Sequence, residues 1–150
     1  TGLRFFTVYG PWGRPDMALF MFVDAIIKGK KIDVFNRGKM SRDFTYIDDI
    51  VDGIINVLNK PSISKNTPYS IFNIGSGKSV KLTDFIKEIE KNLKILSKKR
   101  LMPMQLGDVK RSLSSVNKLN KWVGYSPKFN IKIGIRNFVD WYLKYYKIKL

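Results

Sequence analysis

Three side chains near the start of the sequence, Thr7, Tyr9 and Arg14, have the types and spacing to meet an anionic ligand. Phe5 to Tyr9 is an apolar run broken only by Thr7, the pattern of a strand buried on both faces of a parallel sheet. Gly10-Pro11 and Gly13 end it. Pro15 followed by Asp16 opens a helix in which Leu19, Phe22, Val23, Ile26 and Ile27 share one face until Gly29 closes it. In open parallel sheets, ligands bind beyond the carboxyl ends of the strands. Thr7, Tyr9 and Arg14 fall at such an end, and the Arg14 guanidinium offers a planar fork of donors to a phosphate or a uracil-like edge. Spacing alone favours a plainer reading, a strand-turn-helix corner with a solvated arginine.

Other chemistries are excluded by composition. The chain has no cysteine and no histidine, which removes disulfides, thiolate or imidazole zinc ligands, and any Ser-His or Cys-His nucleophile. No metal site and no catalytic residue is expected in this chain. Gly75-Ser76-Gly77-Lys78-Ser79 ends like a phosphate-binding P-loop, but Phe72 stands where the first glycine is required, and Ser79 to Leu82 reads as extended instead of helical. No G-x-x-G-x-x-G dinucleotide loop follows any strand, since Asp16 stands third after Gly10 and Gly13.

The elements that must position these residues belong to a chain of 150 residues, 44% hydrophobic, enough for one ordinary core. Its formal net charge is +16, from 28 Lys and Arg against 12 Asp and Glu. The lysines form short scattered runs, at 28–31, 98–100 and 144–149, without the signatures of nucleic-acid-binding folds. Such a field also draws small anionic substrates. No apolar run reaches the roughly 18 residues of a membrane span, so a soluble, cytoplasmic protein is expected, with neither membrane nor nucleic acid as partner. The start at Thr1 instead of Met suggests a piece of a longer protein.

Along the chain, Lys31 to Phe35 reads as a strand turning at Asn36 to Lys39, and Met40 to Ile47 as a second extended stretch. Asp48-Asp49 cap a helix with Val51, Ile54, Ile55 and Leu58 as its apolar face. Pro61 to Pro68 is a polar loop, the flexible point of the chain. Ser70 to Ile74 is a strand ending at Gly75, Thr83 caps a helix buried through Phe85, Ile86, Ile89 and Leu93, and a basic loop leads to Leu101. A short helix near Ser115 to Val123 stops at Gly124, and the last helix stacks Ile135, Phe138, Val139, Tyr142 and Leu143. No internal repeat or domain boundary is visible.

Leu3 to Ala18, L-R-F-F-T-V-Y-G-P-W-G-R-P-D-M-A, resembles the segment after the catalytic lysine in extended short-chain dehydrogenase/reductases of the NAD-dependent epimerase/dehydratase family, most strongly the UDP-glucuronate 4-epimerase branch. R-D-F-T-Y-I-D-D-I-V-D-G-I, F-N-I-G-S-G, M-Q-L-G-D-V, G-Y-S-P and F-V-D-W-Y extend the likeness along nearly the whole chain. It departs at Leu106, where the family has Pro, and at Ser114-Ser115, where a small residue and Asp are usual. The resemblance implies an α/β fold over 1–150: the last parallel strands of an extended Rossmann-type epimerase plus a small mixed α/β substrate-binding lobe, its C-terminal half. The dinucleotide loop and the catalytic Tyr-x-x-x-Lys pair precede this region in the family. The same spacing at Tyr145 to Lys149 lies in the tail and is not taken for that pair.

What the resemblance implies for function is an isomerase of polysaccharide biosynthesis. In the complete homodimeric enzyme, NAD takes a hydride from the sugar C4 with a tyrosine base, the 4-keto intermediate rotates, and the hydride returns, converting UDP-glucuronate to UDP-galacturonate. Residue by residue, Phe6 would border the nicotinamide and Thr7 the uronate carboxylate and diphosphate. Arg14 and Arg42 would contact the nucleotide end, Arg42 gripping the diphosphate. Phe35 would border the uracil with Ala18 and Leu19, and Gln105 and Asp108 would meet the ribose or phosphate. The plainer roles are an ion pair to Asp43 or Asp48 for Arg42, and a turn residue for Asp108. Two alternatives stand beside it: another nucleotide-sugar epimerase or dehydratase, and a non-catalytic basic module for nucleic acid or another polyanion.

Overall fold

The apolar run at the start of the chain forms two short strands, β1 (Gly2–Phe5) and β2 (Thr7–Tyr9), instead of one. The computed structural model describes residues 1–62 and 67–150, so the centre of the loop expected to be flexible, 63–66, lies outside the described residues. The split at Phe6 comes from a change of partner. β1 runs parallel to β6 (Ile71–Ile74), and Phe6 N still donates to Ile74 O at 3.3 Å. From Thr7 the chain runs parallel to β5 (Phe44–Tyr46), with Thr7 N donating to Asp43 O at 3.2 Å. A third parallel pair joins β3 (Lys31–Val34) to β8 (Lys98–Leu101), while β4 (Ser41–Arg42) and β7 (Val80–Lys81) pair antiparallel. β8 occupies the stretch expected as a basic loop. Its four residues are all exposed, so no apolar alternation marked it as a strand.

Parallel pairs need long crossovers, and helices supply them. These are α1 (Ala18–Ile27), α2 (Ile47–Leu58), α3 (Leu82–Leu93), α4 (Asn117–Val123) and α5 (Ile131–Tyr145). The architecture is α/β, as expected. α1, α3 and α5 bury their apolar stripes in one core with Tyr9, Ile32, Val34, Phe44 and Tyr46 from the strands. At its centre the Phe44 ring stacks on Phe85, centroids 3.9 Å apart. A smaller core gathers Ile50, Val57, Phe72, Ile74, Leu119 and Tyr125 between α2, β6 and α4. No described helix is long and apolar enough to cross a membrane.

Several helix starts differ from expectation. α1 begins at Ala18, with Met17 extended before it, so Pro15-Asp16 sits outside the helix. Lys81 precedes α3, and Thr83 lies within its first turn. Tyr46 precedes α2, and the Asp49 carboxylate, instead of capping it, accepts from Lys128 N at 2.7 Å and Phe129 N at 3.1 Å. Asn130 does cap α5, accepting from Lys132 N and Ile133 N.

α2 also buries a face that shares only Ile54 with the one expected: Ile50, Gly53 and Val57 point inward and Ile54 packs partly buried against the smaller core, while Val51, Ile55 and Leu58 are 43%, 49% and 71% exposed. The glycine decides it. A Cβ on Gly53 would lie 2.5 Å from Ile74 Cδ1, so β6 approaches the helix there as a side chain would forbid. Phe5, expected to be buried, is 52% exposed, because β1 pairs with β6 alone among the described residues. An unpaired strand edge and an apolar helix stripe both favour association. The 150-residue chain is therefore expected to sediment as dimers or larger species. Phe5→Lys with Leu58→Lys should shift it toward monomer, and a monodisperse wild-type monomer would contradict the expectation.

Candidate functional site

Six of the residues singled out in the sequence, Thr7, Ala18, Phe35, Arg42, Gln105 and Asp108, line one cavity of about 280 Å³. It opens between the start of α1, the end of β3, β4 and the turn at 105–108. Ala18 and Met21 reach it because both lie on one face of α1. Phe35 stands where β3 gives way to a left-handed turn, with Asn36, Arg37 and Gly38 at φ of 48°, 50° and 79°. Gly107, at φ 78°, lets the chain from Gln105 turn back so that Asp108 faces β4, with Leu106 at the exposed tip.

The cavity's polar centre is Arg42. Its Nη2 donates to Asp108 Oδ1 at 2.6 Å and its Nη1 to Ser41 O at 2.9 Å, leaving the rest of the fork without a partner among the described residues. An ion pair was the plainer reading of Arg42, but the partner is neither Asp43 nor Asp48. It is the other residue assigned to the site. Asp108 Oδ1 also accepts from Val109 N, so the turn role and the pairing role coexist. Asp33 lines the cavity too, but Arg100 holds it through two bonds of 2.6 and 2.7 Å across the β3–β8 pair. Arg42 is thus the one cation among the described lining residues.

The floor is apolar, and sequence reading missed most of it: Met17, Met21, Phe22, Met40, Phe44 and Leu82. Met21 was legible as the residue one turn on from Ala18. Met40 and Leu82 were not, since they meet through Leu82 N donating to Met40 O beside the β4–β7 pair. Unbranched thioether side chains fit flat, irregular ligand surfaces.

The remaining assigned residues lie elsewhere. Arg14 is 75% exposed along its side chain and forks onto Asp16, at 3.0 and 2.5 Å. Together with Leu19 it borders a smaller neighbouring cavity of about 30 Å³, which shares Thr7, Met17, Ala18 and Phe44 with the larger one. Leu19 itself is core, at 4% exposure. Phe6 lines neither cavity. Tyr9, expected at a ligand, is buried between Phe44, Tyr46 and Phe85 against Gly134. Burial, then the charges of Tyr46 and Asp49, push its hydroxyl far above the usual tyrosine range, so it holds its proton. Tyr145 packs against Trp12 and Trp141, remote from the cavity.

The loop that resembles a P-loop does bind an anion, and the anion is Asp43. Asp43, the next residue after Arg42, is fully buried. Its Oδ1 accepts from Ser76 N, Ser76 Oγ and Thr45 Oγ1, and its Oδ2 from Gly77 N, Ser114 N and Ser114 Oγ, at 2.6 to 3.1 Å. Burial alone would raise this carboxyl, but the bonds from Ser114 and Ser76 outweigh it and hold the pKa below the ordinary carboxylate range. Asp43 N donates to Ser112 Oγ, Ser41 N to Lys110 O, and Ser112 N to Ser41 O. This ladder fixes the 108–114 segment beside β4, and with it the Arg42–Asp108 pair. Ser114, a departure from the family pattern, supplies two of the six bonds.

The NAD dependent epimerase/dehydratase family matches residues 1–75. The chain is 46% identical to Protein CapI of Staphylococcus aureus over 98% of its own length and 48% of that protein's. It is 42% identical to a probable UDP-glucuronate 4-epimerase of Rhizobium meliloti, over 98% of this chain and 47% of that protein. The crystal structure of UDP-glucuronic acid 4-epimerase from Bacillus cereus with UDP-glucuronic acid and NAD superposes with a TM-score of 0.86 at 31% identity, covering 96% of this chain and 45% of that one. The chain spans about half the length of the curated relatives it matches.

Proposed function

Because the chain belongs to the NAD dependent epimerase/dehydratase family, we propose that it is the nucleotide-sugar-binding, C-terminal half of a UDP-glucuronate 4-epimerase. The observation that carries this reading is the convergence of Thr7, Ala18, Phe35, Arg42, Gln105 and Asp108 on one cavity, with a single arginine at its centre. The names of the R. meliloti and B. cereus proteins favour the uronate as the sugar. With the reading come a cytoplasmic homodimer and the conversion of UDP-glucuronate to UDP-galacturonate through a 4-keto intermediate in the complete enzyme.

The chain's own part is grip and orientation. Arg42 binds the diphosphate through the donors its pair with Asp108 leaves unused, as a forked guanidinium suits two phosphoryl oxygens. Asp108 and Gln105 meet the ribose, Phe35 borders the uracil with Ala18, and Thr7 faces the uronate carboxylate; Leu19, buried in the core, supports Ala18 from behind without meeting the ligand. Arg14 reaches the nucleotide end only by releasing Asp16. The methionine floor keeps water from the bound nucleotide. Such positioning contributes to rate without supplying a base.

The described residues of this chain supply no loop for the pyrophosphate of NAD. Among the described residues, the strand-glycine-helix turn between β2 and α1 places the Arg14–Asp16 pair before the helix, where a pyrophosphate would have to sit, and the Gly75 to Gly77 loop is filled by Asp43. We assign the dinucleotide to protein outside this chain, with Phe6 as its neighbour. NAD supplies the hydride acceptor when bound. Calorimetric titration of the 150-residue chain should give one site for UDP, shared by UDP-glucuronate, and the same sample should form no UDP-galacturonate. Failure to bind UDP would sink the reading of the cavity, and turnover by the pure chain would sink the division of labour.

A further inference from the structure

On the opposite side of β4 from Arg42 lies an open groove of about 370 Å³, lined by Gly38, Lys39, Met40, Ser41, Lys81 and Lys110. Successive residues of a strand face opposite ways. Arg42 therefore serves the nucleotide cavity while Ser41 faces this groove, and the two sites share the β4 backbone as their wall. Ser41 stands opposite Lys81 in the β4–β7 pair, and its N donates to Lys110 O on the other side. Lys39 is brought in by the left-handed turn, which is closed by Lys39 N donating to Asn36 O at 2.8 Å and Asn36 Nδ2 donating to Lys39 O at 2.9 Å. Three lysines from three segments thus line one groove.

Nothing among the described residues neutralises them. No carboxylate lines the groove, and none of the three lysines enters an ion pair among the described residues; Asp84, the nearest acid in sequence to Lys81, pairs with none of them. Ser79 Oγ donates to Ser41 Oγ at 3.0 Å, which leaves the Ser41 hydroxyl proton free to be given to a ligand. Several like charges along one groove, with a hydroxyl donor on its wall, favour an anion of more than one charge. The lining holds no aromatic ring for a base to stack on and no arginine fork. That argues against a nucleoside or a nucleic-acid strand and for a compact chain of phosphoryl groups, which lysines bind as point charges.

We propose that this groove is a second anion site, separate from the nucleotide cavity, and that it binds a small phosphate-chain anion on Lys39, Lys81, Lys110 and the Ser41 hydroxyl. The proposal does not depend on what the nucleotide cavity binds. Its test is calorimetric titration of inorganic tripolyphosphate into the 150-residue chain, alone and with UDP at saturation. One site is expected, with an affinity that UDP leaves within about twofold. The double variant Lys39→Ala/Lys81→Ala should bind about tenfold or more weakly, and Ser41→Ala about threefold to tenfold more weakly. Lys132→Ala/Lys144→Ala removes the same charge from exposed positions on α5 and should change binding less than about twofold. Melting curves confirm that each variant is folded. Equal losses in the two double variants would reduce the binding to the diffuse basic field and overturn the proposal. So would displacement of tripolyphosphate by UDP, or tighter binding of a single-stranded oligonucleotide through the same lysines.

Discussion

Asp43→Asn should destabilise this protein nearly as much as Asp43→Ala, although the amide has almost the same shape as the carboxylate. Each carboxylate oxygen accepts three hydrogen bonds, and on each oxygen at least one comes from a backbone N–H. An amide can turn either way, but either way its NH₂ faces donors, and a backbone N–H cannot reverse its role as a serine hydroxyl can. Losing charge-assisted bonds and leaving at least one buried N–H facing another donor costs about 3–5 kcal/mol together. Against a total stability of about 5–15 kcal/mol, that corresponds to a fall in Tm of roughly 10 °C for a chain of this size. Asp33→Asn, in an exposed pair on β3, should leave Tm unchanged and serves as the control.

The pH dependence gives the same prediction a second face. The Asp43 pKa is lowered in the folded chain, so its contribution is present above the unfolded value of about 4 and is lost as pH falls through the folded value. The gap in stability between wild type and Asp43→Asn should therefore be full at pH 7 and shrink below about pH 4. Denaturant unfolding across that range reads it. A gap that widens in acid would contradict the hydrogen-bond account.

Asp43 also shows where sequence reading reached its limit. Five of its six bonds come from residues 33 to 71 positions away, at Ser76, Gly77 and Ser114, and nothing in the local string R-D-F announces which of them close on it. The same holds for the floor of the cavity, where Met40 and Leu82 meet only through the β4–β7 pair. Residues carried by long motif strings do line one cavity: Thr7 and Ala18 from one string, Arg42 from another, Gln105 and Asp108 from a third. They converge because those strings encode turns and strand ends. Local periodicity did less well wherever two readings shared one pattern. α2 has two apolar stripes, and choosing between them needed the close approach at Gly53. β8 has no apolar stripe at all, and only its pairing with β3 makes it a strand. Arg14 was placed at the nucleotide by motif, yet in this structure Asp16, two residues on, satisfies it.

Arg42→Ala should weaken UDP binding about ten- to a hundredfold, the equivalent of roughly 1.5–3 kcal/mol for a charge-assisted forked contact. The loss should be the same for UDP and for every UDP-sugar, because the diphosphate is common to them. Two causes could produce it, and they separate cleanly. Arg42 touches the ligand in the proposed reading, but it also neutralises Asp108 at 2.6 Å, so its removal leaves a bare carboxylate facing the diphosphate. If repulsion from Asp108 were the cause, Arg42→Ala/Asp108→Asn would recover most of the lost affinity; if Arg42 grips the diphosphate directly, the double variant stays as weak as the single. We expect the second result. Thr7→Ala should behave differently, lowering affinity for UDP-glucuronate while sparing UDP, since its proposed partner is the uronate carboxylate. Lys98→Ala, exposed on β8, should do little beyond a salt-sensitive change. Titration of UDP and UDP-glucuronate into these variants reads every outcome. Equal affinity of wild type and Arg42→Ala for UDP would return Arg42 to the role of a plain ion-pair partner for Asp108.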